Sequence, residues 1–580
     1  MARRSRTIEM RNHTTILLAA GAVLALAAAP ATAQTLAPLP ASDYASRPAC
    51  ARPAPGHAGC LAVELVPLTR EASAHTHPLG IVGAGQGTAP HTGRSAAGRG
   101  AALEAGGPAS GAYGLRPEDL RAAYFPGEAA QAPAAAPQTI ALVDAYNDPQ
   151  AEADLKTYDE EFGLEACDAA NGCFEKVNQK GELTNLPFPA SEAEREQELA
   201  VCNNSKAAHA TREAACERVS EAEGWAVEIS TDIEIARAIC QHNCHIVLVE
   251  AGTSSRTSPE ETEASFENLE AAEKTAVRIG RQKEASPPCE APQACDTEVS
   301  NSWGGSEPLL ESAAFEHPGT AIVAAAGDYG YLNWTDAAEA EAAGEQSYSG
   351  ADYPASSPHV VAVGGTRLTL AGGAYGSESV WNDDHPEREE NYGAGGGGCS
   401  TELTAPEWQR AVPDWAQVGC GTGVSAKRAV ADVAADGDPY SGVAVYDSVP
   451  TFHEALVNGK LVLVNTPLGW WPIGGTSVAA PIVASMFALA GGSHGVEYPA
   501  KTLYEHLGTG LLHPVTEGGN GECDDFYASC AGSLNPLSAR FAFDCGAGAL
   551  ICNAGPGYNG PTGVGTPDVD ALLEALAGIL

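Results

Sequence analysis

An α/β fold, with a mainly parallel central sheet covered by helices on both faces, is predicted by three features of this sequence. From Tyr113 onward, apolar runs of strand length alternate with amphipathic runs of helix length, the rhythm of parallel strands joined by crossover helices. One apolar run ends in Asp328 and one apolar helix opens at Ser477; open parallel sheets bind ligands at such edges. No internal repeat and no second core-forming unit is visible, so one domain over residues 113–580 is expected.

The residues before that domain read as processing segments. Arg3, Arg4, Arg6 and Arg11 precede an apolar run over 16–29 and then Ala31-Thr32-Ala33, the layout of an export signal over 1–33. The run is too short to span a bilayer, and no later stretch reaches the roughly 18 apolar residues a membrane helix needs. A secreted protein is expected. Residues 34–112 are rich in Ala, Pro, Gly and His without sustained periodicity, so a low-complexity leader or pro-segment with little core of its own is expected.

Within the domain, strands are expected over 139–146, 245–251, 298–303, 321–326, 360–363, 443–446 and 461–464. Helices are expected over 150–162, 225–240, 266–283, 477–490 and 568–578. Residues 182–224 and 282–296 break the rhythm; both are charged and each carries a cysteine pair, as surface insertions stapled by disulfides would. The sixteen cysteines suit an oxidising compartment. Local bridges are expected for Cys50–Cys60, Cys167–Cys173, Cys240–Cys244 and Cys289–Cys295, and wider ones for Cys202–Cys216 and Cys399–Cys420. Cys523, Cys530, Cys545 and Cys552 remain to pair in one of three ways. Neither a CxxC pair nor an HExxH is present, which argues against zinc.

A formal net charge of −42 argues against nucleic acid and anionic membranes as partners. It fits a protein that works in acid, where many carboxylates are protonated, and it equally serves solubility.

The chemistry concentrates in three places. In 474–481, two glycines and Thr476 precede Ser477, which opens an apolar helix; there it meets the positive end of the helix dipole and backbone N–H groups that can hold an oxyanion. A helix cap would use a serine in the same way. A serine hydroxyl needs a base, yet none of the fifteen histidines stands in a His-Gly-Thr context. Carboxylates are arranged instead. Glu228 and Asp232 are four apart and share a helix face, where like charges would hold a shared proton, although such pairs commonly just face solvent. Asp328 ends the apolar run 322–327, and if protonated it can donate a hydrogen bond to an oxyanion.

Together these residues resemble the sedolisin family of serine-carboxyl peptidases. The resemblance is carried by Thr139 to Tyr146, Val299-Ser300-Asn301-Ser302-Trp303-Gly304-Gly305, Tyr353 to Pro358, Val361 to Thr366 and the Ser477 octapeptide, in that order. It implies a subtilisin-like fold and a serine-type endopeptidase acting on protein or peptide substrates, with no cofactor required for chemistry. By the same resemblance Ser477 attacks the scissile carbonyl, Glu228 takes its proton, Asp232 orients Glu228, and Asp328 stabilises the oxyanion. Such a mechanism implies an acid optimum. A family calcium ion would fall to Val515, Gly555, Gly557 and Asn559. Pro514 and Asn559 stand where two aspartates are expected, and their loss should weaken the site severely. The leader is also shorter than the folded pro-domain usual in the family. A tripeptidyl-peptidase of the same family and a silent exported binding protein are the alternative readings, and a monomer is expected.

Overall fold

The computed structural model describes residues 44–50, 57–67, 114–125, 138–204, 206–254, 266–283, 297–308, 310–333, 350–383, 393–457, 460–467, 469–493, 496–521 and 549–569. The signal, most of the leader, residues 284–296 with Cys289 and Cys295, the cysteines Cys523, Cys530 and Cys545, and all but the first two residues of the helix expected over 568–578 lie outside the described residues.

The central sheet runs, in spatial order, Ala374–Val380, Val361–Ala371, Ala321–Ala325, Thr297–Asn301, Gln138–Ala145, Cys244–Ala251 and Phe174–Asn178, with Val433–Asp436 also paired to Val361–Ala371. Every neighbouring pair is parallel except Ala374–Val380 with Val361–Ala371. The fold is therefore the expected mainly parallel α/β arrangement of the subtilisin-like class.

Alternating side chains of each strand serve two cores. Ile140, Leu142, Ile246 and Leu248 pack with Ile229, Ile233, Ala236 and Cys240 of the helix His209–Cys240. Those four helix residues recur at helical spacing and form one stripe. Ala141, Val143, Val247 and Val249 point the other way, onto Leu269, Ala272 and Ala276 of the helix Glu267–Lys283. Burial on both faces makes such strands continuous apolar runs, which is why 139–146 and 245–251 stand out in the sequence. The helix Thr476–Ala490 shares the face of His209–Cys240 and packs Val478, Ala479 and Ile482 among Ala321, Val323 and Ala325.

Three expectations need correction. The helix carrying Glu228 begins at His209, not near Trp225, because Ala215, Val219 and Ala222 form a narrow buried stripe that the surrounding charges hide. With Glu192–Cys202 it makes a helical pair closed by the Cys202–Cys216 disulfide. The strands Phe174–Asn178, Ala374–Val380, Ala394–Thr404 and Lys427–Val430 were not expected, since they are short, polar or, in 395–398, a run of glycine with poor strand propensity.

The third correction concerns the leader. Tyr44–Pro48 pairs antiparallel with Val63–Pro67, which pairs with Trp470–Gly474, itself paired with Val443–Tyr446. Tyr44, Leu61, Val63 and Leu65 are buried, so the segments 44–50 and 57–67 pack into the core. Their alternation is too brief to register as a periodic run, and their partner strand lies far along the chain. The Cys50–Cys60, Cys167–Cys173, Cys202–Cys216, Cys240–Cys244 and Cys399–Cys420 disulfides are formed.

Candidate active site

One helix and two strand-to-helix edges bring the candidate residues together. Glu228 and Asp232 lie one turn apart on His209–Cys240, both fully buried. Their neighbours Ile229 and Ile233 face the sheet core, which leaves the carboxyls turned along the adjacent face toward Ser302 and the segment 57–67. Asp232 Oδ1 accepts a hydrogen bond from Ser302 Oγ at 2.6 Å. Glu228 Oε2 accepts one from the Leu61 N–H at 2.8 Å. Glu228 Oε1 and Asp232 Oδ2 are buried without a hydrogen-bond partner.

Ser477 opens its helix after Gly474-Gly475. Gly475 adopts φ +97°, a conformation that favours glycine, and a Cβ there would run into the Leu61 carbonyl oxygen and lie 2.8 Å from Asp328 Oδ2. The glycine thus lets three groups converge. The Ser477 N–H donates to the Leu61 carbonyl at 3.3 Å, and Ser477 Oγ donates to the Ser302 carbonyl at 3.4 Å. Pro481, four residues on, has no N–H for the Ser477 carbonyl; that oxygen lies 3.5 Å from Ser302 Oγ.

Asp328 follows the strand Ala321–Ala325. Its Oδ1 accepts from the Thr476 N–H at 2.7 Å and from Thr476 Oγ1 at 2.9 Å, while Oδ2 is buried without a hydrogen-bond partner. One carboxyl oxygen is therefore anchored and the other points toward the Gly475 and Leu61 backbone.

Burial dominates the electrostatics. It pushes Asp328 up to about 8, against the two Thr476 donors. Glu228 is raised well above the usual carboxylate range, by burial first and then by the charge of Asp144, with the Ser477 hydroxyl and Leu61 N–H opposing. Asp232 is likewise raised, by burial, Asp144 and Glu228. A cluster of this kind retains protons to unusually high pH. It can offer a neutral carboxyl as a hydrogen-bond donor beside the Ser477 hydroxyl.

Sequence reasoning assigned no role to two members of this site. Asp144, at the C-terminal end of Gln138–Ala145, is fully buried with neither oxygen hydrogen-bonded and is raised to about 8 by burial. Its signal was available, since it ends an apolar strand as Asp328 does. Ser302 reads as an ordinary polar residue, and only the folded chain puts it between Asp232 and Ser477.

The residues 515, 555, 557 and 559 do meet, but not in a form that suits calcium. Asn559 Nδ2 donates to the carbonyls of Val515 and Gly555, each at 3.3 Å. Its Oδ1 accepts from Thr562 N–H at 3.1 Å and Thr562 Oγ1 at 2.8 Å, and Gly557 lies exposed on the same turn. Two carbonyls expected to face a cation thus face an amide donor, and among the described residues no carboxylate joins them. A hard divalent ion needs charged oxygen ligands, so these residues do not fit one. Among the described residues, no group of three or more His, Cys, Asp or Glu side chains is arranged to hold a metal.

Comparison with known proteins finds similarity to peptidases. The sequence model of the subtilase family matches residues 243–501, a span that includes Asp328 and Ser477 but starts after Glu228 and Asp232. Kumamolisin of Bacillus sp. (strain MN-32) is 34% identical over 296 residues, 48% of this chain and 42% of that protein. Sedolisin of Pseudomonas sp. (strain 101) is 30% identical over 225 residues, 38% of this chain and 29% of that protein. The chain thus spans less than half the length of these curated relatives. Among solved structures, Pseudomonas sedolisin complexed with two molecules of pseudo-iodotyrostatin aligns with a TM-score of 0.49 at 21% identity, covering 81% of this chain and 99% of that one.

Proposed function

From its similarity to kumamolisin and sedolisin, we propose that the chain is a sedolisin-type secreted serine-carboxyl endopeptidase that cuts peptide bonds in acid through an acyl-enzyme on Ser477. The observation that carries this reading is the buried grouping around Leu61, whose carbonyl accepts from the Ser477 N–H and whose N–H donates to Glu228, with the unpartnered Asp328 Oδ2 beside the same Gly475 backbone. Ser477 Oγ attacks the carbonyl carbon and its proton passes to Glu228, whose Oε1 is unengaged. The Ser477 N–H and the Asp328 carboxyl donate to the oxyanion. Glu228 returns the proton to the leaving amine, and water then releases the acyl group by the same route. Asp232, held by Ser302, orients Glu228 one turn away.

Asp328 is compatible with acid action. The group donates only while protonated, and burial raises it to about 8, so its donor is present at low pH and lost as pH rises through that value. Backbone pairing on the N-terminal side of Leu61 supports internal cutting rather than release of tripeptides. There Gly59–Cys60 pairs with Trp303–Gly304 and Ala58 N–H donates to the Ser254 carbonyl at 3.0 Å, so the cleft accepts chain more than three residues upstream of the bond. The export-type N-terminus and the disulfides support secretion.

The test is digestion of denatured protein at about pH 4 by wild type and Ser477→Ala, with the products sequenced. Wild type should give fragments from internal cuts, and Ser477→Ala should lose at least about 10³-fold in rate. Substantial turnover by Ser477→Ala sinks the assignment.

A further inference from the structure

We propose that Lys176 and Asn147 join in an intramolecular isopeptide bond, a covalent cross-link between two strands of the central sheet, with Glu250 carrying the protons. The three side chains come from three strands that lie side by side. Asn147 closely follows Gln138–Ala145, Glu250 lies in Cys244–Ala251, and Lys176 lies in Phe174–Asn178, the last strand in spatial order. Asn147 and Glu250 are fully buried, and the Lys176 side chain is 17% exposed. None of the three has a part in the peptidase chemistry of Ser477.

Lys176 Nζ donates to Asn147 Oδ1 at 2.8 Å and to the Asp148 carbonyl at 2.6 Å, which brings the nitrogen against the amide carbon one bond beyond Oδ1. Glu250 Oε1 stands 3.7 Å from the same nitrogen and accepts from the Asp148 N–H at 3.3 Å, while Oε2 is buried without a hydrogen-bond partner. Asn147 is held in place: its Nδ2 donates to the Pro189 carbonyl and its backbone N–H to the Phe188 carbonyl at 3.1 Å. The amine therefore meets the carboxamide more closely than it meets the carboxylate. An ion pair has the reverse order, because charged donors and ionised oxygens make the shorter contacts; acyl transfer to the amine requires the order seen.

A nucleophile, a carbonyl carbon and a proton carrier held together away from water replace a rare encounter with a fixed geometry. Burial raises the Glu250 carboxyl well above its usual range, with Lys176 opposing, so Glu250 can take a proton from the amine and keep it within reach. The step balances without an oxidant or other reactant. Glu250 takes one proton from the Lys176 ammonium, and the freed amine bonds to Asn147 Cγ. Glu250 passes that proton to Asn147 Nδ2 and takes a second from the former lysine nitrogen. The Cγ–Nδ2 bond then breaks, and ammonia leaves and takes up the proton from Glu250. Escape of the ammonium into solvent makes the exchange run one way.

The bond ties Phe174–Asn178 to the end of Gln138–Ala145 across the strand between them. Edge strands are where a sheet opens first, and Asp144 sits at the end of the strand so braced. A link that acid cannot break by protonation does there what an ion pair cannot.

The test is peptide mass mapping of the full chain, folded and then reduced, denatured and digested with trypsin, for wild type, Lys176→Arg and Glu250→Gln. Wild type should give one branched peptide that joins residues 147 and 176, lighter than its two parts by one ammonia, with no cleavage after Lys176. Lys176→Arg should give the two parts unlinked and at full mass. Sampled over time after synthesis, Glu250→Gln should link at least about 10²-fold more slowly than wild type. Where a variant does not fold, the wild-type map decides alone. Wild type that gives both parts unlinked, with cleavage after Lys176, overturns the proposal and leaves Lys176 as a buried counter-ion. A link that forms as fast in Glu250→Gln as in wild type overturns the role given to Glu250.

Discussion

Asp328 divides its two oxygens between two tasks, one anchored by Thr476 and one buried and open toward the carbonyl to be attacked. Asp328→Asn preserves both: the amide oxygen still accepts from Thr476, and the amide N–H₂ donates where the carboxyl proton did. That donor does not titrate. Wild-type activity should fall as pH rises through the Asp328 value of about 8, whereas Asp328→Asn should keep a larger share of its acid rate there. Asp328→Ala should lose about 10²–10³ in kcat. Rate profiles of kcat against pH check both, and an identical alkaline limb in wild type and Asp328→Asn contradicts the donor role. At this scale Ser477, Glu228, Asp232 and Asp328 were legible as candidates: a glycine-flanked helix start, an i,i+4 pair and a strand tip each have a bland reading alone, and the family resemblance joined them. Ser302 was not, because its role rests on contacts with residues 232 and 477, which no local spacing encodes.

Elements differ in how much of their purpose is local. The stripe Ile229, Ile233, Ala236 and Cys240 is helical spacing made visible, and it meets the sheet where expected. The turn around Asn559 shows the opposite case. Sequence indicated that two carboxylates were missing there, but not what would satisfy the carbonyls in their place; the Asn559 amide does so. Chelator should therefore leave the melting temperature unmoved, within about 1 °C, while Asn559→Ala strands buried carbonyls and should cost about 1–3 kcal/mol. Calorimetry with and without chelator checks the pair, and a chelator-lowered melting temperature defeats the amide substitution. The strands of residues 44–67 were hidden for a related reason. A five-residue strand carries too little pattern to announce itself when its partner is Trp470–Gly474.

Across the whole molecule, buried carboxyls set the response to pH. Burial raises Asp144, Glu273 and Asp328 to about 8, Asp148 to about 7 and Asp154 to about 6, against about 4 in an unfolded chain. Between those values the native state binds more protons than the unfolded one, so stability is greatest below about pH 4 and falls as pH rises toward about 8. The net charge of −42 at neutral pH adds repulsion in the same direction. Melting temperatures recorded from about pH 4 to about pH 8 should decline steadily, and a maximum near neutrality would contradict this. What the sequence by itself determined is whatever depends on near neighbours along the chain: the alternation of parallel strands and helices, the short disulfide loops, and the candidate serine with its three candidate carboxyls. What only the tertiary structure decided depends on residues brought together from afar. It decided that Asp144 and Ser302 adjoin the candidate site, that an amide fills the turn at Asn559, and that residues 57–67 pair beside Ser477. The physical reason is that desolvation and hydrogen-bond partnership belong to the packed environment, and periodicity carries no information about which distant segment will supply it.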